Sequence, residues 1–196
     1  REEGNPNEHL AIVSGDVRDG HDVLARVHSE CLTGEVLHSL KCDCREQLDL
    51  GLKRIKEAGR GVVLYLRQEG RGIGLGEKIR AYQLQQQGLD TVDANRQLGF
   101  ADDLRSYHMV RAMLEDLEVR SVALMTNNPS KVEGLRRDGV EVTRRVPHLV
   151  APHPLNLGYL ETKRARMGHV YDLESVEPAT PREDVDYDPS LLFDAE

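Results

Sequence analysis

Tryptophan is absent from the sequence and phenylalanine occurs twice. With 39% of residues apolar and so few large rings among them, the core has to be assembled from aliphatic side chains. No apolar run approaches the ~20 residues of a membrane-spanning helix, and the start, Arg1-Glu-Glu-Gly-Asn-Pro6, is polar. Both features predict a cytoplasmic protein with no membrane association. Cysteine is scarce, with three residues, and in a reducing compartment a structural disulfide is not expected of them. A surplus of basic charge is also lacking. The net charge is −8, and the whole of it falls after Tyr171, where nine acids meet one base, Arg182; residues 1–171 carry 25 of each sign. A neutral body excludes a broad nucleic-acid surface but leaves room for a local anion site. The 196 residues suffice for one sizeable domain, taken as residues 1–171, with 172–196 as an acidic, mobile tail.

The cysteines that are present lie close together, at Cys31, Cys42 and Cys44. Two readings stand: ordinary buried small residues, or metal ligands. Clustered thiolates favour zinc, and three protein ligands leave a fourth position for water, as catalytic zinc sites do. His28 or His38, both nearby, would instead complete a closed structural site.

Elsewhere apolar periodicity alternates between strand and helix. Short strands are predicted at 9–14 and 23–28, on either side of a Gly-Asp-Val-Arg-Asp-Gly break. Leu48, Leu52 and Ile55 mark a helix that Gly59 ends, and Gly61-Val-Val-Leu-Tyr-Leu66 reads as a strand buried on both faces. A glycine-rich loop covers 68–76, and a helix over 77–87 carries Ile79, Tyr82 and Leu84. Residues 91–102 show no period and are predicted to be a long connection. Met109, Ala112, Met113 and Leu117 mark a further helix, 121–125 a strand, Val132 and Leu135 a helix, and 140–146 a last strand. This alternation predicts an α/β domain with a mixed or mostly parallel sheet and flanking helices.

Three loops carry polar chemistry. Gly70-Arg-Gly-Ile-Gly-Leu-Gly76 joins a strand to a helix, where backbone amides can cradle an anion, although a tight turn explains it equally well. Arg71 can fork onto a phosphate and Glu69 can accept from an amine or hydroxyl. Thr126-Asn-Asn-Pro-Ser-Lys131 repeats the strand–turn–helix arrangement, and two such strand-end loops are where α/β domains bind ligands. Asp102-Asp-Leu-Arg105 is either a helix start with acids against the dipole or a proton acceptor beside a phosphate-binding arginine.

Taken together, Arg26-Val-His-Ser-Glu-Cys-Leu-Thr-Gly34, Cys42-Asp-Cys44, Arg67-Gln-Glu-Gly-Arg-Gly-Ile-Gly-Leu75, Lys78-Ile-Arg-Ala-Tyr82, Asp90-Thr-Val-Asp-Ala-Asn95, Gln97-Leu-Gly-Phe100 and Thr126-Asn-Asn-Pro129 resemble GTP cyclohydrolase II, over residues 9–170. The resemblance implies that Cys31, Cys42 and Cys44 hold one zinc. It implies that Arg26, Val27, His28, Ser29, Glu30, Gln47, Glu69, Gly70, Arg71, Thr91, Thr126 and Lys131 bind GTP. Asp103 matches the family's proton acceptor, Arg105 the residue assigned as nucleophile at the α-phosphorus, and Tyr82 a tyrosine near the ring chemistry. A homodimer and Mg²⁺ on the triphosphate are implied as well. The implied reaction is the first committed step of riboflavin synthesis. It opens the imidazole ring of GTP, releases formate and pyrophosphate, and leaves 2,5-diamino-6-ribosylamino-4(3H)-pyrimidinone 5′-phosphate. Two alternatives differ from it: a family variant that stops at the formamidopyrimidine nucleotide, against which Tyr82 speaks, and a zinc-bearing nucleotide-binding protein without turnover. Three departures from the pattern stand out: Leu104 between Asp103 and Arg105, the acidic tail, and a start within the segment that precedes the family's first strand.

Overall fold

The computed structural model describes residues 7–101 and 103–170. Five strands form one sheet in the order β1-β3-β2-β4-β5. They are β1 (Leu10–Ser14), β2 (Val23–Ser29), β3 (Gly61–Leu66), β4 (Val122–Met125) and β5 (Val142–Val146). β1 runs antiparallel to β3, and the β3–β2, β2–β4 and β4–β5 pairs are parallel. The sheet is therefore mixed, as the alternation predicted. The predicted acidic tail and its boundary lie outside the described residues.

Side-chain alternation along each strand separates two layers. Val23, Ala25 and Val27 of β2, Val62, Leu64 and Leu66 of β3, and Val122 and Leu124 of β4 face α5 (His108–Asp116) and α6 (Pro129–Arg137), through Val110, Leu114, Val132 and Leu135. Val63 and Met125 on the opposite face meet Leu48, Leu52 and Ile55 of α2 (Cys44–Glu57). The core is aliphatic throughout, as the lack of aromatic residues requires. The fully buried residues of α5 are Val110 and Leu114; of the expected positions Met113 and Leu117 pack against the same core while partly buried, and Ala112 is exposed.

Two helices differ from expectation. Residues 91–97, expected as a featureless connection, form α4 (Thr91–Gln97); the Asp90 side chain caps it by accepting from the Val92 and Asp93 amides at 2.7 and 2.9 Å. Its two buried apolar residues, Val92 and Ala94, lie two apart, and the residue at helical spacing from Val92 is the polar Asn95, which hid it. A further helix, α7 (Leu157–Met167), carries no apolar stripe in the sequence. The helix after the glycine loop, α3 (Gly74–Gln86), begins within the glycines and buries Ala81, while Ile79 is exposed.

From β2 the chain crosses by α2 to β3 on one side, and later returns to β4 on the other side of β2. The order therefore reverses between β2 and β4, and the carboxyl ends of the parallel strands diverge there. Pairing of β2 with β4 stops at Ala25 opposite Leu124. Beyond that point side chains replace the ladder. The Arg26 guanidinium donates to the Met125 carbonyl at 3.0 Å, and the Lys131 ammonium donates to the Val27 carbonyl at 2.9 Å. The sheet thus ends in a fork with two buried cations at its base.

Candidate active site

A cavity of about 510 Å³ opens over this fork. β2 leads into Glu30 and Cys31, β3 into the turn Glu69–Gly72, and β4 into Thr126 and Lys131. These three strand ends supply most of the walls, as expected for a parallel sheet.

At one end lie the cysteines. The Sγ atoms of Cys31, Cys42 and Cys44 all fall within 4.8 Å of one another, and Cys31 and Cys42 are 3.7 Å apart. Tetrahedral zinc with Zn–S bonds of about 2.3 Å separates its sulfurs by about 3.8 Å, so the donor set fits that ion. Gly34, in the short helix α1 (Leu32–Glu35), allows this approach: a Cβ there would sit 2.8 Å from the Cys42 sulfur and 3.3 Å from that of Cys31. Among the described residues the metal-capable group comprises these cysteines and no histidine. His28 is turned to the Glu35 carboxylate at 2.7 Å and is held below its ordinary pKa by burial. His38 is exposed beside Arg45.

The thiols share their protons unequally. Hydrogen bonds from Cys42 and Cys44 hold Cys31 well below the ordinary thiol range, and the Lys78 ammonium, 3.2 Å from its sulfur, adds to the effect. Cys42, giving its proton to that bond, is pushed up to about 12. Lys78 also bonds Glu69 at 2.8 Å. Tyr82 lies alongside, with its hydroxyl 3.3 Å from Thr33 Oγ1, and burial pushes its pKa up to about 12, so the phenol stays protonated.

The other walls are cationic. Arg71 occupies a left-handed conformation (φ 59°) after Gly70 (φ 61°). Both terminal nitrogens of its guanidinium are buried in the cavity wall without a hydrogen-bond partner among the described residues. Such strain in a non-glycine residue is characteristic of ligand-binding turns. Gly72 packs on the next segment, where a Cβ would lie 3.0 Å from the Leu104 backbone. The Asp103 carboxylate accepts from Arg105 Nε at 2.8 and 3.1 Å and from its terminal nitrogen at 2.5 Å. Burial opposes the charge on Arg105, but these bonds outweigh it and raise its pKa. Lys131 is depressed well below the ordinary lysine value, first by burial and then by Arg26 and Arg105.

The cavity brings together Arg26, His28, Ser29, Glu30, Gln47, Glu69, Gly70, Arg71, Tyr82, Thr91, Arg105, Thr126 and Lys131 with the three cysteines. Val27 is an exception. Strand alternation turns its side chain into the α5–α6 core, and its carbonyl serves Lys131. Asp103 stands behind Arg105 rather than in the wall. Glu69 is occupied internally, accepting from the Leu32 and Gly70 amides, each at 2.6 Å, and from Lys78. Sequence reasoning gave no role to Lys78, Asp43, Tyr159 or Lys163. Lys78 and Asp43 stand in recognised segments, so a signal existed for them; Tyr159 and Lys163 had none.

The GTP cyclohydrolase II family model matches residues 1–147. The chain belongs to the GTP cyclohydrolase II family. GTP cyclohydrolase-2 of Hahella chejuensis is 56% identical over 170 residues, which cover 87% of this chain and 82% of that protein. GTP cyclohydrolase-2 of Actinobacillus succinogenes is 56% identical over 162 residues, 83% and 75% of the two chains. The riboflavin biosynthesis protein RibBA of Endomicrobium trichonymphae is 51% identical over 164 residues, 84% of this chain and 41% of that one. Family membership and these relatives bear out the resemblance, the fold class and the main functional reading of the sequence, a GTP cyclohydrolase of riboflavin biosynthesis. No helix among the described residues is long and apolar enough to cross a membrane.

Proposed function

We propose that this cavity hydrolyses GTP with opening of the guanine imidazole ring, and that the residues named above carry the reaction. The observation that supports this reading is the placement of a three-thiol cluster and a ring of buried cations in one cavity over the β2–β4 fork. Zinc held by Cys31, Cys42 and Cys44 supplies a Lewis acid and an activated water near neutral pH. Arg71, whose two terminal guanidinium nitrogens have no partner among the described residues, grips the phosphates together with Arg26 and Lys131, and Mg²⁺ on the triphosphate would add to that charge neutralisation. Arg105 remains cationic under the hold of Asp103, so its role is to stabilise charge at the α-phosphate, with Asp103 orienting it and receiving a proton. The protonated Tyr82 phenol donates near the ring, at the step that frees formate. The enzyme works in the cytoplasm as a homodimer.

Incubation of the protein with GTP, Mg²⁺ and Zn²⁺, followed by mass identification of the products, tests the reading. Formate, pyrophosphate and the diaminopyrimidinone nucleotide are expected. A product that retains the formyl group would assign the chain to the ring-opening variant. GTP bound and left intact would overturn the enzymatic reading.

A further inference from the structure

α7 lies beyond residues 1–147, the span of the family model, yet it forms a wall of the cavity. Gly158, Tyr159, Thr162 and Lys163 recur at helical three- and four-residue spacing and all face the cavity. A helix packed on a core turns an apolar stripe inward. This one turns a tyrosine, a threonine and a lysine inward, leaves Leu157 39% exposed, and buries Leu160. Ion pairs hold it. Arg166 bonds Asp93 at 3.0 Å and also Asp90, both at the start of α4. Lys163 reaches Asp43 at 3.2 Å, with side-chain exposures of 12% and 3%, and its ammonium lies 4.2 Å over the Tyr159 ring.

Asp43 stands between two of the three thiols. Its second oxygen accepts from Gln47, whose own amide oxygen accepts from Arg26 at the base of the fork. A carboxylate this deeply buried requires a cation, and stripping one partner from a buried pair is far costlier than loss of a surface bridge. Groups that orient metal ligands in this way typically govern metal affinity. We propose that Lys163 is a positioning residue for both ends of the site: it locks α7 over the nucleotide cavity and, through Asp43, fixes the turn that presents Cys42 and Cys44 to a metal. This deepens the GTP cyclohydrolase reading and rests on it for the nucleotide.

The test uses the zinc-loaded full chain carrying Lys163→Met, with Lys163→Arg as the conservative variant. Zinc release to a chromogenic chelator and the KM and kcat for GTP are measured. Lys163→Met should release zinc about 10-fold faster and raise KM with a smaller change in kcat, and Lys163→Arg should restore both. Should Lys163→Met lose its circular dichroism signal, Lys163→Gln, which keeps a donor, is read in the same way. Zinc release at the parent rate in a folded variant overturns the proposal, and so does altered release with an unmoved KM, since α7 would then close independently of the ion pair. Parent protein that retains zinc but leaves GTP intact defeats the GTP reading alone, because the chelator measurement stands without turnover.

Discussion

At the scale of single residues, the site depends on groups whose ordinary protonation has been moved by their surroundings. Tyr82 keeps its proton because it is buried beside the thiols. Tyr82→Phe should slow formate release by about 100-fold, the lower range for a positioned acid, while ring opening continues. A formamide intermediate should then accumulate in quenched-flow mass analysis, and a parallel fall of intermediate and product would make the residue structural. Lys131 is shifted in the opposite sense. Burial and two neighbouring arginines push it toward its neutral form, and an arriving triphosphate supplies the charge that reverses this. GTP binding at mildly alkaline pH should therefore take up protons, and its affinity should fall as pH rises. Calorimetry in buffers of different ionisation enthalpy measures the uptake, which Lys131→Met should remove. An uptake that persists in that variant would place the titrating group elsewhere.

At the scale of elements, the shortest helix carries a sharp constraint. Gly34 of α1 lies where any Cβ would press on two of the three sulfurs. Gly34→Ala should weaken zinc binding at least about 10-fold in chelator competition, with the far-ultraviolet dichroism unchanged; undiminished affinity would mean that the thiols have room to shift. Elements were legible in the sequence where burial is apolar and periodic. β3 and β4 read as aliphatic runs, and α2 showed its Leu48, Leu52 and Ile55 stripe. α4 was missed because seven residues hold too little period, although the Asp90 cap was available as a signal. α7 was missed because its inner face is polar. The candidate site was legible where its residues sit in loops at strand ends. Lys78 and Lys163 were not, because a lysine is solvated by default, and what makes these two different is a partner far away in sequence, Cys31 and Asp43.

At the scale of the whole molecule, His148 ties the segment after β5 to α2 and to the loop after β4. It is fully buried, its ring Nε2 bonds the Gln47 carbonyl of α2 at 2.8 Å, and its backbone amide donates to the Asn127 side-chain oxygen at 2.9 Å. Burial holds its pKa down to about 3, against about 6.5 in an unfolded chain. A depressed histidine contributes stability that is fully present above the unfolded value and is lost as pH falls toward the folded one. The free energy of urea unfolding should thus be nearly level above pH ~6.5 and decline below it, and His148→Gln should flatten that decline. An unchanged slope would assign the acid sensitivity to other groups, with His28, also depressed by burial, the next to test.

The fork between β2 and β4 sets a threshold for ligands. Arg26 and Lys131 already satisfy backbone carbonyls there, so an incoming anion competes with bonds that exist rather than meeting idle charge. One phosphate recovers little by such an exchange, whereas three linked phosphates can share both cations and at once reach the terminal nitrogens of Arg71, which have no partner among the described residues. Discrimination between guanosine mono- and triphosphate is then a property of the carbonyls as much as of the cations. Equal affinity for the two nucleotides, measured by competition, would show that the fork plays no part in that choice.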